Sequence, residues 1–224
     1  PVFLLYALAG DALERAFPMA LTPLLMLAVS TPHYGATLLR VYERREDRRR
    51  YALFATWATL LLGVLFVWGV ESAVVGSWLI TIYLTWSPWH YAAQNYGVGL
   101  MFLRRADVDV PPLAKRLYQA TFALSFVLAF LVLHGPDPLG GYSPGDISGG
   151  LHRFRPLGLP AAVREPALAA AAGAYGLAIV GAAVLLLRRA PVRALLPAAA
   201  LVVTQAMWFT VPYLARHTGS LQDV

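Results

Sequence analysis

Charged residues keep to short clusters along this chain and leave long apolar stretches between them. Six windows contain no Asp, Glu, Lys or Arg: Ala16–Leu39, Tyr51–Val70, Ser72–Leu103, Leu117–Pro136, Ala167–Leu187 and Ala194–Ala215. Their lengths are 24, 20, 32, 20, 21 and 22 residues. A helix rises 1.5 Å per residue, so about 20 apolar residues cross the ~30 Å hydrocarbon core of a bilayer. The pattern predicts an all-α fold, a polytopic transmembrane helical bundle forming a single integral membrane domain over 1–224. About six spanning helices are expected, at about 17–43, 51–71, 74–104, 117–134, 166–188 and 194–215. The third window is too long for one upright span, so its helix must tilt, protrude or break, with Pro88 the obvious breaking point. The fifth is crowded with small residues (Ala172, Gly176, Ala178, Ala182), a composition that lets helices approach closely in lipid.

Composition supports this reading. The chain is 58% hydrophobic and 13% charged, with a mean hydropathy of +0.59, whereas a soluble domain carries about 25% charged residues. The net charge of +6 does not point to nucleic acid, because 13 of the 18 Lys and Arg lie in three short loops, 40–50, 104–116 and 188–193. Basic loops alternating with poorer ones follow the positive-inside rule, which makes these three cytoplasmic and the Gly/Pro-rich segment 135–162 an external loop. An inner-membrane protein of a bacterium fits such a layout, with the lipid bilayer as its first partner. The absence of cysteine excludes a disulfide framework, a thiolate metal site and a thiol nucleophile.

Polar side chains inside the apolar windows are the candidate chemistry, since each is costly in hydrocarbon unless it has a partner. The five histidines are His33, His90, His134, His152 and His217. His152 sits in the Gly/Pro loop beside two arginines and reads as a solvated surface residue. Three of the others follow a proline closely, in "TPHYGATLLR", "SPWHY" and "VPYLARH". Proline removes a backbone donor, and disturbed backbone at membrane depth is tolerated where protein or a cavity surrounds it. Neutral imidazole is the commonest metal ligand, and several histidines in an apolar pocket can hold a metal for oxygen chemistry. His33 and His90 lie at heights that allow them to meet. His217 joins them only if its helix bends or protrudes, with His134 as the substitute third ligand. Gln94, one turn beyond His90, and Thr37, in the same relation to His33, are candidates to orient the imidazoles. Trp86, Trp89, Tyr34 and Tyr91 would line the pocket. Each imidazole could instead simply hydrogen-bond to a neighbouring helix.

"TPHYGATL", "WHYAAQNYG" and "ARHTGSLQD" resemble the histidine motifs of Brp/Blh-type membrane carotenoid dioxygenases, which cleave β-carotene to retinal with histidine-held iron. The interval of 57 residues between the first two histidines is similar as well. The resemblance implies that His33, His90 and His217 are metal ligands, that Fe2+ is the cofactor, and that the substrate is a lipid-soluble, carotenoid-like molecule. The family's second acid–histidine pair in the first motif has no counterpart beside Thr37, and its last histidine position is Leu221 here, so a fourth ligand position stays open. Two other classes remain: a transporter, receptor or assembly factor with a polar intramembrane pathway, and a b-type haem electron carrier with His33 and His90 as axial ligands.

Overall fold

The computed structural model describes Gly35, Leu39, Tyr42, Glu43, 45–136 and 152–210. The first expected span, with His33, Tyr34 and Thr37, and the chain end with His217 lie outside the described residues. All regular elements among the described residues are helices: α1 (Arg45–Arg50), α2 (Thr59–Glu71, preceded by a π-helical turn Leu53–Ala58), α3 (Ala73–Arg105), α4 (Pro112–Leu133), α5 (Ala161–Leu187) and α6 (Val192–Gln205, continued by a π-helical turn Ala206–Thr210). Four helical segments are long and apolar enough to cross a membrane: Leu53–Glu71, Pro112–Leu133, Ala161–Leu187 and Val192–Thr210. The described residues thus give four candidate spans where the sequence suggested about six. The longest helix, α3, is not among them, because Ser77, Thr81, Thr85, His90, Gln94 and Asn95 lower its hydropathy.

The chain divides into two compact units, residues 1–68 and 69–224. In the first, the Tyr42 hydroxyl donates to the Ala55 carbonyl and the Thr59 hydroxyl to the Phe54 carbonyl. Leu60, Leu61, Val64, Phe66 and Trp68 are all exposed. A helix apolar on every face is suited to lipid rather than water.

In the second unit the pairings show the helix directions. Gly99 lies against Tyr118, Tyr96 beside Phe122, Trp89 beside Phe126, and Thr85 against His134, so α3 and α4 are antiparallel. Leu117 meets Gly181, and Asn95 meets Gln205, which makes α5 antiparallel to α4 and α6 antiparallel to α3. Arg104, Arg105, Lys115, Arg116, Arg188, Arg189 and Arg193 therefore collect at one end of the bundle. Prolines mark three helix starts, Pro111–Pro112, Pro160 and Pro191, where the missing N–H would have had no partner anyway. Helix α3 ends with Asp107 in the left-handed conformation (φ 55°), as Val108 N–H bonds to Leu103 O (3.0 Å) and Asp107 N–H to Arg104 O (3.1 Å). Leu103 and Val108, which this closure brings together, both enter the core.

That core joins Leu103, Tyr118, Phe122, Ala182, Leu186 and Leu195. Ala171, Ala178 and Ala182 are buried on α5, whereas Gly176 is exposed, so only part of the expected small-residue face is used. Helix α3 passes through Pro88 as one helix of 33 residues. Its length is accommodated by overhang. Helix α4 gives out at His134, opposite Thr85, and residues 73–84 of α3 continue for ~18 Å beyond it.

Candidate functional site

The overhanging part of α3 is covered by residues 152–160, which run along it as an extended strap rather than a free external loop. Arg153 N–H donates to Ser77 Oγ (3.0 Å), Arg155 N–H to Thr81 Oγ1 (2.8 Å) and Leu157 N–H to His134 Nδ1 (3.2 Å). His134 Nε2 lies 3.0 Å from Thr85 Oγ1, and Leu159 N–H reaches the His134 carbonyl at 2.8 Å. The register follows from two repeats. Four helical residues advance 6.0 Å, and two residues of extended chain advance ~6.2–6.8 Å, so every second strap N–H keeps step with Ser77, Thr81 and Thr85, meeting the first two directly and the third through the His134 ring. Ser77 and Thr81 also donate to the carbonyls of Ala73 (2.5 Å) and Ser77 (2.7 Å), so their hydroxyls are satisfied twice over.

His134 closes this arrangement. It is 2% exposed, with its ring against Phe130 and Phe154. A backbone N–H can only donate, so Nδ1 accepts from Leu157, Nε2 carries the proton, and Nε2–H donates to Thr85. Both nitrogens are engaged and the ring is neutral. Burial pushes its pKa below the ordinary value for histidine. This histidine, the substitute third ligand of the sequence reading, has no lone pair free for a metal. His152 is not a solvated residue either: it is half-buried, and its Nε2 lies 2.8 Å from the Gly69 carbonyl. Its ring rests on Gly76, where any Cβ would collide with it.

His90 differs. It is exposed on the face of α3 opposite Pro88 and Ala92, and no hydrogen bond engages its ring among the described residues. Its one aromatic contact among the described residues is the ring of Tyr91, edge-on at 6.0 Å. Trp89 packs on Phe126 (5.4 Å), which sets His90 level with the interior of the α4 candidate span, and Tyr91 stacks on Phe209 (5.7 Å), near the end of the α6 one. Phe126 is seven residues, ~10 Å, from the end of its span. Trp86 is 62% exposed and Trp89 40%, so neither is sealed against the described helices. Gln94, half-buried one turn on, makes no hydrogen bond among the described residues. No group of three His, Cys, Asp or Glu suited to a metal occurs among the described residues; His33 and His217 lie outside them.

Sequence reasoning passed over a third polar feature. Asn95 Nδ2 donates to Gln205 Oε1 (2.7 Å), Gln205 Nε2 to Ser125 Oγ (3.4 Å), and Ser125 Oγ lies 2.7 Å from Thr210 Oγ1. Ser125, Gln205 and Thr210 are 0%, 1% and 2% exposed. The chain of bonds ties α3, α4 and α6 together within the bundle. Its signal was present: Ser125 is the lone polar residue of the apolar run 122–133, and Gln205 follows Thr204 in the otherwise apolar run 194–209. No family model, curated protein or solved structure matches this chain.

Proposed function

We propose that this chain is an integral membrane oxygenase that holds iron through His90 with His33 and His217 and acts on a lipid-soluble, carotenoid-like molecule. One observation supports it: His90, level with the interior of the apolar helix α4, has an imidazole that no hydrogen bond engages among the described residues, whereas His134 and His152 are committed to protein partners. An imidazole without a partner at such depth is costly, and a metal relieves the cost. The donor chemistry fits iron, since neutral imidazoles in apolar surroundings suit it and leave positions open. Bound iron would supply the activation of dioxygen. The chain would contribute the rest: His90 binds, Trp86 and Tyr91 offer apolar walls to a polyene, and the spans exclude water. By the positive-inside rule loops 40–50, 104–116 and 188–193 are each cytoplasmic, in a bacterial inner membrane.

A polar intramembrane pathway is the second reading, suggested by the Asn95–Gln205–Ser125–Thr210 chain. Those groups are closed upon one another, and all but the half-buried Asn95 are almost without exposure, which suits joining helices better than conducting a solute. The test is elemental analysis with an absorption spectrum of the purified protein and of His90→Ala. Near-stoichiometric iron in a nearly colourless protein, lost in the variant, is the expected result. A strong Soret band would replace iron by haem, and metal-free wild-type protein would leave the pathway reading.

A further inference from the structure

Between α5 and α6 lies a groove of about 250 Å³, bounded on its third side by α4. Ala182, Ala183 and Leu187 form one wall, and Val192, Ala199 and Val203 the other. Two hydroxyls border it, and both are already satisfied: Tyr118 donates to the Ala198 carbonyl (3.0 Å) and Thr121 to the Tyr118 carbonyl (2.7 Å). Nothing in the groove asks for a polar ligand. Along α6 it extends from Val192 to Val203, eleven residues or ~16 Å, about half of a ~30 Å hydrocarbon core. It therefore has the depth of one bilayer leaflet.

The groove begins at the basic end of the bundle. Leu187 and Val192, at its mouth, are followed directly by Arg188 and Arg193, which are exposed and have no acidic partner among the described residues. Arg189 has only a loose, exposed ion pair with Asp109 at 3.8 Å. An apolar slot one leaflet deep that opens at the basic end of the bundle complements a molecule having one long hydrocarbon chain below an anionic phosphate. We infer that this groove binds an anionic glycerophospholipid, with one acyl chain between α5 and α6 and the headgroup phosphate on Arg188 and Arg193. The inference rests on the chain spanning a membrane and not on the oxygenase proposal, so a metal-free protein would leave it standing.

The probe is a vesicle of equimolar phosphatidylglycerol and phosphatidylcholine into which the full chain is reconstituted. After extraction in mild detergent, retained lipid is weighed by native mass spectrometry. Wild type should keep one phosphatidylglycerol in preference to phosphatidylcholine by about thirtyfold, and Arg188→Gln alone should lower the preference about fivefold. The pair Arg188→Gln with Arg193→Gln should retain either lipid equally. Ala183→Phe, which fills the slot, should lose both lipids while melting as wild type does; Ala199→Leu serves if that variant does not fold. Equal retention of the two lipids by wild type would overturn the proposal. So would unchanged retention in a folded Ala183→Phe or Ala199→Leu, or a dimer mass without lipid, which would make a second copy of the chain the occupant.

Discussion

His134 and His90 stand on neighbouring helices of one bundle, and they differ in what their nitrogens meet. His134 is fixed in one neutral tautomer between a strap amide and a helix hydroxyl, two phenylalanines enclose it, and its backbone carbonyl takes a further strap N–H. His90 presents its ring on an open helix face with a single aromatic contact. The contrast teaches that a histidine of such a bundle reveals its role by its unfilled valences rather than by its position along the chain. A ring with every donor and acceptor matched holds the fold together, and a ring with both free is available to a ligand.

The largest expected effect breaks the first half of this contrast. His134→Ala leaves Leu157 N–H and the Thr85 hydroxyl without partners and opens a space between two aromatic rings. It should cost about 3 kcal/mol in reversible unfolding in detergent. Amide exchange should quicken at Leu157 and Leu159 before it changes in α4. A loss below ~1 kcal/mol would mean that the strap is held elsewhere. Gln205→Leu comes next. It strands the Asn95 amide and one bond of Ser125 inside the bundle, for about 1–2 kcal/mol, read as a lower melting temperature with unchanged helix content.

Acid should loosen the same strap without a mutation. Because burial holds the folded His134 pKa below its ordinary value of 6.5, the folded state binds fewer protons than the unfolded state near that pH. Its contribution is full above about pH 6.5 and declines as pH falls through the lower folded value. Protonation turns Nδ1 into a donor facing the Leu157 donor. Melting temperature should therefore fall between pH 7 and pH 5 in wild type. It should fall less in His134→Gln, which cannot titrate; parallel curves would remove His134 as the cause.

The spans were legible because a bilayer imposes one length and one polarity on every crossing. The windows at 51–71, 117–134 and 166–188 became the helices Leu53–Glu71, Pro112–Leu133 and Ala161–Leu187. The strap was not legible. A serine or threonine in a membrane helix ordinarily bonds to its own chain's carbonyl four residues back, so Ser77 and Thr81 gave no sign of their second partners more than seventy residues away. Gln94 and Asn95 are separated by one step of ~100° around the helix. That step turns Asn95 toward α6 and leaves Gln94 beside His90 without a hydrogen bond among the described residues. His33 and His217 lie outside the described residues, so the convergence of three imidazoles remains part of the proposal.

The smallest stability effect sharpens the contrast most. His90→Ala removes an exposed ring with no hydrogen bond among the described residues, and its unfolding free energy should stay within ~0.5 kcal/mol of wild type when both proteins are stripped by a chelator. Before chelation the two should differ, because a ligand that binds only the folded state stabilises it by mass action. A wild-type melting temperature that drops on chelation to the His90→Ala value, with the variant itself unmoved, is the expected pattern. If chelation shifts neither protein, the free valences of His90 serve something other than a metal, and the oxygenase proposal falls while the strap and its histidine keep their roles.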